Sequence, residues 1–140
     1  MVEKTLESWG YGMAILMSIK PEYANRIFFG CKKFEYRKRI PKLTIDRVYV
    51  YSSYPVKKII GYFEVDYVLQ GTPEEIWNET CKFSGIDALT YRDYFSDCRL
   101  GYAIHILCTK LFDKPIDPHV AFRGFRAPQS FMYFNGSCFE

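Results

Sequence analysis

Three strand-like segments follow one another between residues 33 and 71, and no helical segment separates them. They read KKFEYRK (32–38), DRVYVYSS (46–53) and KKIIGYFEVDYVLQG (57–71). The middle segment is apolar on both faces, which predicts a central strand. Because a doubly wound parallel sheet alternates strands with helices, that fold suits this chain poorly. Gly61 inside the longest segment predicts the bulge or bend of a barrel corner.

The segments on either side complete a mixed order of elements. MAILMSI (13–19) predicts a strand, and KPEYANRIFFG (20–30) predicts a helix with Pro21 in its first turn and Gly30 at its C-terminal end. Further along the chain, the sequence predicts a helix with the start signature Thr72, Pro73 and Glu75, a helix around 88–95, and strands over 101–113 and 130–134.

The resulting order β, α, β, β, β, α(α), β, β predicts an α+β fold: a small mixed β-barrel with two or three helices covering its openings. A length of 140 residues fits one domain and allows a real hydrophobic core. We assign that domain to 13–134, preceded by an N-terminal extension (1–12) and followed by a short C-terminal tail (135–140).

The cysteine pattern bears on the compartment and on metals. Five cysteines, an odd number without CxxC spacing, accompany only two histidines. This pattern predicts reduced thiols in a cytoplasmic protein, with no metal site and no cofactor. No apolar run approaches the roughly 18 residues of a membrane span, and the N-terminal residues lack the order of a signal peptide, so we expect no membrane association.

Charge is unevenly distributed along the chain. The net charge is +3, but residues 64–97 contain eight acids and two bases, a balance of −6 that leaves +9 for the rest. Such a polarised molecule can present a basic face to an anion, and its acidic helices (72–97) can bind a protein partner. Alternatively, the acids decorate solvated helix faces.

The stretch GCKKFEYRKR (30–39) places five cations around a single acid, Glu35. If KKFEYRK is a strand, Lys33, Glu35 and Arg37 share its polar face. Such a carboxylate between cations stays ionised and is oriented by them, which suits a ligand-binding cleft. The alternative is a salt-bridged strand face, in which Glu35 only relieves repulsion among the bases.

The combination SIKPEYANRIFFGCKKFEYRKR and VYVYSSYPVKKIIGYFEV, with GYAIHI further on, resembles the ASCH domain family over about 13–133. The family signature Gly-x-Lys-x-x-Glu-x-Arg corresponds to Gly30, Lys32, Glu35 and Arg37. The resemblance implies a PUA-like β-barrel. It also implies that RNA or a modified nucleotide or nucleoside is held by Lys32, Glu35 and Arg37 in a cleft between barrel and first helix, with a possible link to translation or its regulation.

Other candidates come from segments expected at the same barrel mouth. In YSSYP (51–55), hydroxyl groups at the end of a strand can bind a phosphate or a base edge. In FRGFRAPQSF (122–131), arginines interleaved with Phe122 and Phe125 can bind single-stranded nucleic acid. The alternative for the first segment is an ordinary turn, and for the second it is a loop anchored by its aromatic residues, with solvated arginines. Together with Lys33, these additional ligand-binding candidates are Ser52, Ser53, Tyr54, Arg123, Arg126, Gln129 and Ser130.

Three functions remain in competition. The first is an RNA- or nucleotide-binding module. The second is an enzyme, either a ribonuclease or a hydrolase (amidohydrolase) acting on an acylated nucleoside, in which Lys32 activates the nucleophile and Glu35 is the general acid or base. Some ASCH relatives resemble such amidohydrolases, although Glu35 occupies the position of the threonine those enzymes use. The third is a protein-binding domain that uses the acidic helices.

Overall fold

The computed structural model describes residues 3–5 and 13–135. The strands are β1 (Glu3–Thr5), β2 (Met13–Ile19), β3 (Phe34–Arg37), β4 (Ile45–Ser52), β5 (Lys58–Gly71), β6 (Gly101–Ile116) and β7 (Phe131–Tyr133). The helices are α1 (Pro21–Phe29), α2 (Pro73–Thr80), α3 (Ala88–Tyr94) and α4 (Pro118–Ala121), and a 3-10 turn covers Cys81–Phe83. Within these residues, no helix is long and apolar enough to cross a membrane.

All seven strands belong to one curled sheet. Its order is β3-β6-β5-β4-β2-β7, and β1 pairs with the end of β5. The β2–β4 pair is parallel and the other pairs are antiparallel. This α+β half-barrel confirms the fold predicted from the sequence. The predicted N-terminal extension contributes β1, and the predicted C-terminal tail lies, apart from Asn135, outside the described residues.

The centre of the sheet follows from the apolar character of its strands. In β4, the side chains of Val48 and Val50 lie in the core inside the curl, whereas Tyr49 and Tyr51 pack on the other face. Both faces are therefore covered, as the sequence predicted. The register of β5 shifts beside Gly61, where any Cβ would overlap the backbone of β6. The predicted bulge is confirmed, and close backbone approach is its physical reason.

The helix ends also follow local sequence rules. Gly30 ends α1 in the left-handed conformation (φ 87°), and its N–H donates to carbonyls of that helix. At α2, Thr72 and Glu75 form a complete capping box. Between the predicted strands 101–113 and 130–134, the Pro- and Gly-rich residues up to Pro128 read as a loop in the sequence, but Asp117 caps the short helix α4 there.

The half-barrel has a seam where its two ends meet. β3 pairs with β6 at one end of the sheet, and β7 pairs with β2 at the other. A side chain crosses this seam: the Arg37 guanidinium at the end of β3 donates to the Ser18 carbonyl of β2 at 2.7 Å. It also donates to the Ser130 hydroxyl, just before β7, at 3.2 Å. The basic stretch therefore lies at the seam.

Candidate functional site

A cavity of about 570 Å³ opens beside the seam. It draws one wall from α1, one from the end of β4 and the following turn, one from the α3 region, and one from the segment before β7. Its floor is formed by Lys32, Glu35 and Arg37. The other lining residues are Ser18, Ile19, Lys20, Tyr23, Tyr36, Tyr51, Ser53, Tyr54, Lys57, Ile86, Thr90, Tyr94, Ala127, Pro128 and Gln129.

The floor is a buried cluster of two cations and one carboxylate. Lys32, Glu35 and Arg37 are 2%, 7% and 8% exposed. Glu35 Oε2 accepts from Arg37 Nε at 3.2 Å and from Arg37 Nη2 at 3.0 Å. Glu35 Oε1 lies 3.8 Å from Lys32 Nζ, beyond hydrogen-bonding distance. One carboxylate oxygen is thus occupied, and the other keeps acceptor capacity toward the cavity.

Lys32 is held by backbone and aromatic groups rather than by a full ion pair. Its Nζ donates to the Ser84 carbonyl at 2.7 Å and lies 4.8 Å from the ring centre of Tyr36 and 5.7 Å from that of Tyr23. Burial lowers the pKa of the Lys32 ammonium from 10.5 to about 8, although the Glu35 charge raises it. Lys32 can therefore exchange a proton not far above neutral pH.

The loop between α2 and α3 fixes the position of this lysine. Gly85 adopts φ +64°, and a Cβ at this position would overlap the Lys32 side chain. Arg26 of α1 donates to the Gly85 carbonyl at 2.9 Å, which ties the loop to that helix. Next to it, the Tyr36 hydroxyl pairs with Thr80 Oγ1 at 2.7 Å. The floor thus rests on backbone groups that allow little movement.

The mouth of the cavity differs from its floor. Lys20, Tyr54 and Lys57 line the cavity and are exposed to solvent. Lys57 has φ 57°, which an L-residue rarely adopts. The peptide bond between Tyr54 and Pro55 is cis. Two cations and an aromatic ring therefore surround the opening.

Comparison with known proteins identifies the family of this chain. Residues 17–111, more than half of the chain, match the family model of the ASCH domain. The chain belongs to the ASCH domain family. The sequence resemblance drawn from Gly30, Lys32, Glu35 and Arg37 is thereby confirmed.

Individual proteins and solved structures are similar to this ASCH domain. It is 33% identical over 81 residues to an "ASCH domain-containing ribonuclease" of Zymomonas mobilis, a match that covers 57% of this chain and 55% of that protein. It is 27% identical over 120 residues to an "ATP synthase subunit alpha" of Ureaplasma parvum, covering 85% of this chain and 15% of that one. The crystal structure of ASCH from Zymomonas mobilis superposes with a TM-score of 0.81 at 26% identity and covers 89% of both chains.

The structure brings several of the predicted residues to one place. Lys32, Glu35, Arg37, Ser53, Tyr54 and Gln129 all line the cavity of the ASCH domain. Ser130 joins them indirectly through its hydrogen bond with Arg37.

Other candidates lie elsewhere. Ser52 is buried and is not among the lining residues. The Lys33 ammonium lies over the Phe83 ring at 5.4 Å, so the lysine beside Glu35 is Lys32 and not Lys33. Residues 31–33 are not part of β3, so the strand alternation that placed Lys33 beside Glu35 does not extend to it. The two lysines consequently have different surroundings despite adjacent positions.

The arginine-rich segment before β7 is arranged differently from the prediction. Phe122 and Phe125 pack against the aromatic outer face of the sheet, and the Phe125 ring lies 5.8 Å from that of Tyr51. These two half-buried rings anchor the segment to the sheet. Arg123 and Arg126 are exposed and do not line the cavity, although Ala127, next to Arg126, does.

Sequence reasoning missed several lining residues. Tyr51 is the first residue of the YSSYP segment (51–55), Lys57 lies two residues after it, and Tyr23 lies on α1. Thr90 and Tyr94 come from α3, which the sequence described only as acidic. The aromatic residues had a signal, since they occur close to the basic stretch or to YSSYP, but nothing in the sequence indicated that α3 would form a wall.

The acidic segment has partly structural roles. Glu75 accepts from the Thr72 backbone N–H at 3.1 Å, and Asp87 accepts from the Thr90 N–H at 2.8 Å, so each caps a helix. Among the described residues, no group of three or more His, Cys, Asp or Glu side chains could hold a metal ion.

Proposed function

We propose that this ASCH domain binds RNA by enclosing one nucleotide in the cavity at the seam. The observation that carries the proposal is the buried floor, where one carboxylate and two cations face an open space of about 570 Å³. Burying charged groups is costly unless they are paired, and this cluster keeps an excess positive charge beside a cavity. Such an arrangement suits a polar, anionic ligand.

The size and walls of the cavity fit a nucleotide. Ligand pockets commonly measure about 300–1,000 Å³ and combine apolar walls with a few placed polar groups. Here Tyr23, Ile86 and Tyr94 supply apolar and aromatic surface. A single-stranded RNA base can be turned out of its stack and held against such rings.

The floor supplies hydrogen bonds for a base edge. Glu35 Oε1 can accept from an exocyclic amino or ring N–H group, and Lys32 Nζ, 3.8 Å from Oε1, can donate. Arg37 orients the carboxylate through its two contacts with Oε2. An acceptor and a donor side by side recognise the edge of a nucleobase.

The mouth supplies charge for the phosphate. Lys20 and Lys57 are exposed and line the opening, so their ammonium groups can meet phosphate oxygens without desolvation. Phosphate contacts release counterions, and affinity therefore falls as salt concentration rises. The resemblance to the ASCH domain family adds the expectation of a role in translation or its regulation, and RNA binding is compatible with such a role.

Glu35→Gln tests the proposal, with Glu64→Gln as the matched control. Glu64 is an ion-paired strand carboxylate that does not line the cavity. Fluorescence anisotropy with a labelled single-stranded RNA of mixed sequence measures the dissociation constants. We expect Glu35→Gln to weaken binding about tenfold or more and Glu64→Gln to leave it unchanged. Absence of RNA binding by the native protein, or equal loss in both variants, contradicts the proposal.

A second candidate function is RNA hydrolysis at the same site. The relative of Zymomonas mobilis is named a ribonuclease, and here Lys32, with its pKa lowered to about 8, lies beside Glu35 in the cavity. An amine of this kind can accept or donate a proton, and Glu35 can act as its acid or base partner.

Product analysis separates the two candidates. RNA and acylated cytidine are incubated with the native protein and with Lys32→Met, and mass spectrometry follows the products. Hydrolysis of RNA by the native protein that disappears in Lys32→Met supports the ribonuclease. Binding without product supports the module alone, and release of acid from acylated cytidine supports the amidohydrolase.

A further inference from the structure

Tyr54 differs from the other tyrosines of the cavity in where its ring lies. It is 81% exposed, although it lines the mouth, whereas Tyr51 is 2% exposed. It occupies a turn in which the Val56 N–H donates to the Ser53 carbonyl at 3.1 Å. Most of the ring surface is therefore accessible from outside the cavity.

Two exposed lysines line the same opening as this ring. Lys57 follows three residues later, and Lys20 precedes α1; both are exposed and line the opening. Lys57 is held at φ 57°, a conformation that costs about 1 kcal/mol or more for an L-residue and that is common at ligand sites. An exposed ring with lysines beside it has the composition of a single-strand binding surface.

The wall from the α3 region disfavours a phosphate on its own side. Ile86, Thr90 and Tyr94 line that wall, and the exposed Asp87 follows Ile86 directly in the chain. Phosphate groups leaving the cavity on that side would approach Asp87 and its neighbours. A phosphodiester chain leaves more favourably toward the basic turn with Tyr54 and Lys57.

We propose that Tyr54 is the stacking platform for the nucleotide next to the enclosed one, with Lys57 and Lys20 at the phosphate between them. This inference rests on the proposed function and narrows its ligand to a single-stranded polymer. A free nucleotide would fill the cavity and leave the platform empty. The polymer therefore gains affinity from a second base.

The experiment compares a short RNA with mononucleotides on the same variants. The probes are an unlabelled RNA octamer of mixed sequence and the four nucleoside 5′-monophosphates, measured by calorimetry, with gel analysis confirming that the RNA stays intact. The variants are Tyr54→Ala, Tyr54→Phe and the control Phe29→Ala. Phe29 is 85% exposed at the far end of α1 and does not line the cavity.

We expect Tyr54→Ala to weaken RNA binding about five- to a hundredfold, as loss of one base–aromatic stack does. Tyr54→Phe keeps the ring and retains native affinity, and Phe29→Ala changes nothing. Mononucleotide affinity stays the same in all variants. Because Tyr54 is exposed, its replacement leaves the fold intact, which thermal unfolding verifies.

The possible failures are distinguishable. If native protein binds RNA and Glu35→Gln weakens it, but Tyr54→Ala does not, the platform is overturned while the proposed function stands. Equal weakening of RNA and mononucleotides by Tyr54→Ala also overturns the platform, since it places the ring inside the same subsite. If the native protein binds neither probe, the proposed function fails and the platform with it.

Discussion

Two ionic groups on the same sheet show how differently charge can be used. Arg47 and Glu64 face each other across β4 and β5, with Arg47 Nη2 2.7 Å from Glu64 Oε1, and both side chains are about a quarter exposed. The Arg47 guanidinium also lies 4.0 Å from the ring centre of Tyr62. In the seam, Glu35 lies between two cations, is nearly inaccessible, and borders a cavity.

The difference distinguishes a structural ion pair from the cluster that we propose as the binding site. The Arg47–Glu64 pair is balanced in charge, and water screens it, so its contribution to stability is small. The seam cluster carries a net charge of +1 when Lys32 is protonated and has lost most of its hydration. A bound anion would neutralise this remaining positive charge, whereas the Arg47–Glu64 pair is already neutral without a ligand.

Removing the central carboxylate is the strongest test of this comparison. Glu35→Ala leaves two buried cations without their shared counter-charge, and we expect it to lower the free energy of unfolding by about 3–5 kcal/mol. Glu64→Ala removes a partly exposed carboxylate and costs about 1 kcal/mol or less. Urea denaturation measures both. Similar losses would show that burial does not distinguish the two groups.

Arg37→Lys tests the closure of the seam. Lysine keeps the charge but cannot donate simultaneously to Glu35, to the Ser18 carbonyl and to Ser130 from a planar fork. We expect a loss of about 2–3 kcal/mol and faster hydrogen exchange in β7, measured by mass spectrometry. Arg47→Lys is the control. If hydrogen exchange in β7 of Arg37→Lys is as slow as in the native protein, the bridging role of Arg37 is contradicted.

The pKa of Lys32 gives a third test, in the pH dependence of stability. Because burial lowers this pKa from 10.5 to about 8, the unfolded chain binds a proton between these values that the native state does not. The contribution of this group to stability therefore increases as pH rises from about 8 to 10.5, and it is lost as pH falls back from 10.5 to about 8.

Measured against Lys32→Met, the native protein is expected to gain roughly 2 kcal/mol between pH 8 and 9.5. Subtracting the pH profile of Lys32→Met removes the contribution of the tyrosines to the pH dependence of stability, because both proteins contain them. The stability of both is measured by urea denaturation at each pH. Parallel pH profiles would contradict the buried, desolvated ammonium.

The smallest effect is expected for Arg47→Lys. It gives up the bidentate contact with Glu64 and the guanidinium packing on Tyr62, at a cost of about 1 kcal/mol. RNA affinity, measured by anisotropy, is expected to stay native. A change in RNA affinity would show that the outer face of the sheet takes part in binding.

Much of the fold could be predicted because it depends on local rules. Pro21 and Gly30 delimit α1, Thr72 and Glu75 start α2, and Gly61 marks the β5 bulge. Each signal acts within a few residues of its own position. The order of elements then restricts the architecture to a curled sheet with helices at its openings.

The site could be predicted only where its residues lie close together in sequence. The resemblance to the family signature indicated Lys32, Glu35 and Arg37, whereas strand alternation alone indicated Lys33. The position of Lys32 in the floor depends on the Ser84 carbonyl, 52 residues away. The walls from α3 and from Ala127–Gln129 depend on tertiary packing, which periodicity does not encode. The same packing turned Phe122 and Phe125 from expected stacking rings into anchors.

The bridge from Arg37 to Ser18 and Ser130 has a consequence for the timing of biosynthesis. The partners are separated by 19 and 93 positions, and the Ser18 hydroxyl also donates to the Pro128 carbonyl, 110 positions away. A ribosome must therefore extend the chain to about Ser130, and release that residue from its exit tunnel, before the cavity has all its walls. Until then, the nascent chain exposes the basic stretch without the walls that enclose it in the folded domain.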